Sequence, residues 1–493
     1  MPRYGLNDRE SPFAINDAEA SRLENVEIGD RDAYARLGYS QFGTTASSGP
    51  IQNMHDHRES NGTQVILRAR QSTLQKYNTV TSAWDTISLP ISYTANRKVS
   101  FATLNDVTIA ANGVDSDLQF DGSAWTELAS NPKAEVQMVY QNRLVKFKFS
   151  TSTVYYSEIN DPTTFDALAF IKVDPNNAQM GKGIADLNGQ IIVFKEAKKY
   201  LITALIGGVV YPLDGEISTV SHYSIVATGN SLIFLAASGW YELRGTQTFL
   251  ISDHINMENL SDEELDKAHA TFFNNTYRCF VAERNVAYNN LEYCFHLNLR
   301  TPFPDNPYAV TKNRGLYGLC YLKTIRDGEE TLYFGDSRPD SGSPATSYSK
   351  TYLMFDGNDD DGASIAAFWE SKLFDNGIPF YAKKYKKVYI RVVNQSNLTY
   401  FLAHRFGTED AWSEQALSFP ITDLPWVLDD DSEITEWLEG VAWPFEGAHD
   451  DFASLTNTGR PRTIQFRNRV SSATAQARWL YEAYQYRVKD RFK

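Results

Sequence analysis

The sequence predicts an all-β fold: a β-propeller of about 40-residue blades with an additional C-terminal β-rich region. Two phrases repeat at one interval, strand-like alternation runs through most of the chain, and helix signals are sparse. The first phrase is "LQKYNTVTSAWDTISL" (residues 74–89), echoed by "LQFDGSAWTELA" (residues 118–129). Trp84 and Trp125 lie 41 positions apart, and Phe165 in "EINDPTTFDAL" follows 40 later. The second phrase, "NGQIIVFKEAKKYLI" from Asn188, lies over "GNSLIFLAASGWYEL" from Gly229 with the same shift of 41, which matches Tyr200 to Tyr241. Both phrases read as a strand, a short polar turn and a second strand.

Each element follows from that reading. Hairpins are also expected in "NRLVKFKFSTSTVYYSEI" from Asn142 and "NTYRCFVAERNVAYNNLEYCFHLNL" from Asn275, and "RLVKFKF" and "KVYIRVV" alternate with the period of two of half-buried strands. A small antiparallel sheet cannot bury both faces alone, so blades must stack around an axis. Trp84, Trp125 and Phe165 are expected to wedge between neighbouring blades. Short helices are expected at "AEASRLENV", at "ASIAAFWES" and at "NLSDEELDKAHATFF", where Ser261 would cap and Glu264 would complete a capping box. The Ser/Pro/Gly-rich stretch "DSRPDSGSPATSYS" (residues 336–349) marks the expected boundary. It gives an N-terminal arm and closing strand over 1–48, blades over 49–345, and a C-terminal β-rich region over 346–493 with a possible last blade and docking surface.

Composition narrows the function. The 493 residues are 42% hydrophobic and 13% aromatic, enough for large cores. The net charge of −14 argues against a surface built to grip phosphates. No apolar run follows the opening charges and none reaches membrane-spanning length, so neither a secretory signal nor membrane insertion is expected. Cys279, Cys294 and Cys320 are too few for a disulfide framework. Cys279 and Cys294 could face each other across a hairpin, but two buried thiols is the plainer reading.

No phosphate loop, zinc-protease motif or nucleophile elbow is present. His55 and His57 in "MHDHRES" would share a strand face, without further metal ligands in view. "FDGNDDDGASIAAFW" suggests calcium through Asp356, Asn358 and Asp360, but Asp361 and Ala367 stand where an EF-hand needs Gly and Glu. The dense carboxylates of "LDDDSEITEWLEG" (residues 428–440) fit an exposed acidic face better than a glycosidase pair. No catalytic, cofactor or metal residue is assigned, and none of these cofactors is expected. The basic end of the chain, with the alternating aromatics of "WLYEAYQYRV", reads as a terminal strand facing an acidic protein surface.

The order of several short motifs resembles β-propeller tail proteins of short-tailed bacteriophages. "EASRLENVEIGDRDAYARLGYSQF" resembles their opening, with Arg36 and Gly38 in the Arg-x-Gly-Tyr-like step. "QNRLVKFKFSTSTVYYSEINDPTTF" looks like their Asn-Arg-Leu strand, here Asn142 and Arg143, followed by Tyr-Tyr-Ser and Asp-Pro. "LNGQIIVFKEAKKYLI" is similar to their strand ending in Val-Phe-Lys-Glu, and Asp359, Asp360, Asp361 and Gly362 match a late acidic turn. Together the motifs span roughly residues 19–390, and each is weakly specific alone.

The resemblance implies a tail nozzle or hub, six copies of which form a ring below portal and adaptor. It would continue the DNA channel, pass duplex DNA without sequence-specific binding, and dock fibres, spikes or a needle during genome ejection. Its location would be the virion tail, assembled in the host cytoplasm. An acidic wall fits a conduit that must repel phosphates. The alternative is a stand-alone kelch-like interaction propeller for protein or glycan, although the paired Gly of kelch blades is missing. A propeller glycosidase ranks third. Terminal strands are expected to close the ring of blades.

Overall fold

The repeated phrase is a turn with a fixed chemistry. In its second copy Asp121 Oδ1 accepts the Ser123 and Ala124 N–H groups at 2.9 Å each, and in its first Asn78 Oδ1 accepts Val80 N–H at 2.9 Å and Thr81 N–H at 3.2 Å. Such Asx turns reverse the chain, with Gly122 at φ +92° in the second copy and Ser82 at φ +51° in the first. The flanking aromatics become cross-strand partners, Tyr77 with Trp84 and Phe120 with Trp125, with ring centroids 5.5 and 4.9 Å apart. The phrase therefore encodes the third and fourth strands of a blade. The second phrase encodes strands two and three, pairing Val193 with Tyr200 and Phe234 with Tyr241.

The computed structural model describes residues 2–29, 32–44, 49–339, 350–376, 383–394, 398–406, 410–419, 447–454, 463–472 and 477–488. They divide into two compact units, one of residues 40–308 and 313–354 and another of 1–39, 309–312 and 355–493. The first unit is the propeller.

Five blades are complete four-stranded antiparallel sheets of consecutive chain. Their innermost strands are Ile51–Arg58, Ser100–Leu104, Val136–Tyr140, Gly181–Leu187 and Val226–Ala227. Blade 6 starts with His269–Phe273, Thr276–Val281 and Leu291–Phe303. Blade 7 is built from Gly318–Arg326, Glu329–Asp336 and Thr351–Met354. Each innermost strand neighbours the next, and Gly318–Arg326 returns to Ile51–Arg58, which closes a ring of seven blades among the described residues.

Closure uses early chain. Tyr39–Gln41 takes the position beside Thr351–Met354, and Phe42 N–H donates to Thr351 O at 2.7 Å. The last strand, Ala477–Val488, pairs instead with Ala33–Ala35 and Lys383–Asn394 in the other unit. The expectation that the C-terminal strand helps close the blades is corrected accordingly. Blade 7 also runs to Met354, past the expected boundary, of which residues 340–349 lie outside the described residues.

The cores lie between blades. Trp125 packs with Leu67, Leu74, Val99 and Leu118, between blades 1 and 2. Trp84 packs with Phe42, Met54, Leu322 and Tyr333, between blades 1 and 7. Phe165 lies outside the fourth strand of blade 3, which is Phe170–Lys172, but its half-buried ring still meets Ile109 and Leu144. Burying rings of this size contributes about 2–3 kcal/mol each.

Two of the three expected helices are absent, and the third is a short 3-10 helix. "AEASRLENV" forms strands Glu19–Glu24 and Val26–Ile28, and "ASIAAFWES" forms strand Ala363–Ser371. Leu23 pairs with Trp369, and tertiary pairing of this kind overrides local helix propensity. "SDEELDK" forms a 3-10 turn, Asp262–Lys267, with no side-chain cap from Ser261. The Ser261 carbonyl instead accepts Glu264 N–H at 3.1 Å.

The second unit contains a sheet in the order Gly5–Leu6, Glu19–Glu24, Ala363–Ser371, Gln465–Ser472, Leu398–Arg405 and Ser413–Phe419. Another runs Val26–Ile28, Ala33–Ala35, Ala477–Val488, Lys383–Asn394 and Gly447–Ser454. Among the described residues no helix is long and apolar enough to cross a membrane.

Candidate functional site at the axial mouth of the propeller

Where the innermost strands begin, the chain enters the ring from a different connecting segment for every blade. These entry points surround a cavity of about 660 Å³ on the propeller axis. Blade 1 supplies Gln52, the approach to blade 2 supplies Arg97 and Lys98, blade 4 supplies Lys182, and the approach to blade 5 supplies His222 and Tyr223. A volume of this size falls within the roughly 300–1,000 Å³ typical of small-molecule sites.

Lys98 is the best-fixed group there. Its Nζ donates to Leu319 O at 2.8 Å and sits 5.0 Å from the Tyr223 ring centroid. Burial lowers its amine to about 8. His222 is held neutral, with burial lowering it to about 4, and its Nδ1 accepts Ile184 N–H at 3.4 Å. That contact assigns the ring proton to Nε2. The Tyr223 ring stacks on His269 at 5.3 Å, and His269 Nδ1 accepts Tyr321 N–H at 3.3 Å. Tyr321 in turn stacks on Phe280 at 4.1 Å and donates through Oη to Glu292 at 2.6 Å. Glu292 is fully buried and also receives Arg278 and Asn313. The wall of the mouth is thus backed by packed rings and a satisfied buried carboxylate.

The sequence-predicted residues lie elsewhere. Tyr200 is buried and donates to Asp174 Oδ2 at 2.6 Å, and Tyr241 contacts Ser238 Oγ at 2.8 Å. Asn142 occupies a two-residue hairpin turn with Gln141, both at positive φ, and Arg143 donates to the Ser157 carbonyl. Asp361 and Gly362 form another such turn, between the paired residues Asp360 and Ala363. Gly362 N–H donates to Asp359 Oδ1 at 2.7 Å, so this acidic stretch is a hairpin tip.

Arg36 and Asp360, 324 positions apart, meet in a bidentate pair, Nη1 to Oδ1 at 2.8 Å and Nη2 to Oδ2 at 2.6 Å. Arg36 is buried and its Nε donates to Asn25 Oδ1 at 3.0 Å. Burial raises the Asp360 carboxyl, and Arg36 opposes that rise. Gly38 lies against the same turn: a Cβ there would overlap the Asp359 carbonyl. Its N–H donates to Gly357 O at 2.9 Å, while its carbonyl accepts Asp356 N–H at 3.1 Å. Asp360, read as a possible calcium ligand, is thus committed to Arg36.

His55 and His57 do share a face of blade 1, contacting Thr103 Oγ1 at 2.6 Å and Thr108 Oγ1 at 2.8 Å. Among the described residues no cluster of His, Cys, Asp and Glu could hold a metal. Cys279 pairs with Tyr293, and Cys294 pairs with Arg278, so the two thiols are offset by one residue and do not oppose each other. No disulfide joins the three buried cysteines, and burial pushes Cys279 up to about 12 and Cys320 up to about 11. The carboxylate run at 428–440 lies outside the described residues.

No protein-family model matches the chain, and no curated protein matches it. Solved structures do. YCF48 from Cyanidioschyzon merolae aligns at 10% identity and a TM-score of 0.41, covering 64% of this chain and 98% of its own. BamB from Moraxella catarrhalis aligns at 9% identity and a TM-score of 0.41, covering 69% and 99%. The designed protein Ika8 gives 8% identity, a TM-score of 0.40, and coverage of 67% and 95%. YCF48 and BamB are β-propellers.

The axial mouth was not legible beforehand. Its residues come from separate blades and share no motif; only the regular spacing of strand starts could have located it.

Proposed function

We propose that this chain is a structural tail nozzle or hub of a short-tailed bacteriophage. In this reading it forms a ring, six copies by resemblance, that continues the DNA channel below portal and adaptor and docks fibre, spike or needle proteins. The observation that supports it most is the Arg36–Asp360 pair. It joins two of the segments that carry the resemblance, 324 positions apart in sequence, through a bidentate, largely buried ion pair.

Two further observations agree. The outer edges of blades 3 to 5 expose Leu168, Phe170, Ile206, Val209, Tyr211 and Phe249, apolar surface of the kind subunit contacts cover. The net charge of −14 suits a wall along which DNA slides without being held. The test is negative-stain imaging of the purified chain alongside a DNA mobility shift at physiological salt. Closed rings with an open centre and no retained duplex are expected; tight, salt-resistant DNA binding would overturn the reading.

A second reading, an interaction propeller acting alone, draws on the axial cavity. Compact single propellers that capture a ligand without forming rings would favour it.

A further inference from the structure

We propose that the axial mouth of the propeller binds one small organic anion with a flat apolar body, of the size and chemistry of a nucleoside monophosphate. This goes beyond the nozzle reading and does not depend on it. The cavity is lined by four cationic side chains, Arg97, Lys98, Lys182 and Lys267, and two carboxylates, Glu135 and Asp266. That balance runs opposite to a chain of net charge −14.

Some of these charges are already engaged. Glu135 accepts Phe149 N–H at 2.9 Å, and Lys267 is paired with Glu264 and donates to Ala287 O at 3.1 Å. Lys98 uses one donor on Leu319 O, and an ammonium carries three. Lys98 is also anchored, because its contacts with Leu319 and the Tyr223 ring hold it in place before any ligand arrives. Pre-fixed cations bind an anion with less ordering cost than free surface lysines. Lys182, on blade 4, is half-buried at the wall and supplies a second cation.

The apolar half of the site comes from Phe149, Tyr223 and Tyr288. Tyr223 is backed by its stack on His269, so its ring has a set orientation. With His269 stacked on it and Lys98 Nζ over it, the Tyr223 ring fixes the cation, and Phe149 and Tyr288 supply the apolar wall for a flat body. A neighbouring groove of about 410 Å³ shares Lys182 and Asp266 with the mouth and carries Glu196, Glu216, Asp262 and Glu263.

The experiment is isothermal titration calorimetry of the full chain with adenosine monophosphate, and with inorganic phosphate and citrate for comparison. Expected are one site per chain, affinity that falls with added salt, and weaker binding of phosphate and citrate. Lys98→Met and Lys182→Gln should each weaken adenosine monophosphate about tenfold, as expected for one charge-assisted hydrogen bond. Lys182→Gln guards against misfolding, since Lys182 is partly exposed, and an unchanged melting temperature certifies it. No binding at millimolar ligand, or binding that both substitutions leave unchanged, would overturn the proposal. Phosphate binding as tightly as the nucleotide would overturn the flat-body assignment.

Discussion

In the propeller, five blades fold from unbroken stretches of chain, with hairpins such as Phe120–Trp125 closing locally. In the other unit, neighbours come from opposite ends: Leu23 pairs with Trp369, and Tyr34 with Arg478. The difference teaches where the organising information sits. Blades are specified by turn residues and period-two alternation, both local. The second unit is specified by which distant segments meet, as the Arg36–Asp360 pair, 324 positions apart, exemplifies.

Substitutions should therefore separate the units. The largest effect is expected from Trp84→Ala, which empties the seam between blades 1 and 7 and strips the ring that covers the Arg68 guanidinium at 4.2 Å. A loss of about 3–5 kcal/mol should lower the propeller's calorimetric transition and leave the other transition in place. Removal of residues 482–493 should do the reverse, because 482–488 belong to the strand Ala477–Val488, which pairs with Lys383–Asn394.

A smaller loss of about 1–3 kcal/mol is expected from Arg36→Met, now in the second unit, since the partly buried Asp360 would lose its partner. The double variant Arg36→Met with Asp360→Leu should recover much of it. Failure of that recovery would show that the loss does not come from the unpaired carboxylate.

Acid should act on the propeller. Burial lowers His55 and His222 to about 4 and His254 to about 3, below their ordinary 6.5. Between pH 6.5 and these values the unfolded chain binds more protons, so stability rises with pH and falls on acidification. The slope approaches about 1.4 kcal/mol per pH unit for each histidine, readable in urea midpoints from pH 7 to pH 5. The smallest expected effect is Gly189→Ala, about 1 kcal/mol, because that turn residue has φ +76° while the space around it is open.

The comparison also explains what the sequence revealed. The period, the blade seams at Trp84 and Trp125, and the hairpins of both phrases were legible because Asn78 and Asp121 carry turn chemistry within a few residues. Glu19–Glu24 has a helix-like local pattern but forms a strand, because its partner Ala363–Ser371 lies some 350 residues away. The Cys279 and Cys294 offset depended on register, which residue spacing alone does not fix. Lys146 gave no signal of its role, although it is fully buried and pairs with Asp117 across blades 2 and 3. The axial mouth was hidden for the same reason: Lys98, Lys182 and Tyr223 converge only once the ring closes.

The most direct test of the proposed role is the mass of the full-length chain by sedimentation velocity across a range of protein concentrations. The account predicts a closed assembly several times the 55.7 kDa chain mass, six copies by resemblance. A species of 55.7 kDa at every concentration would contradict it.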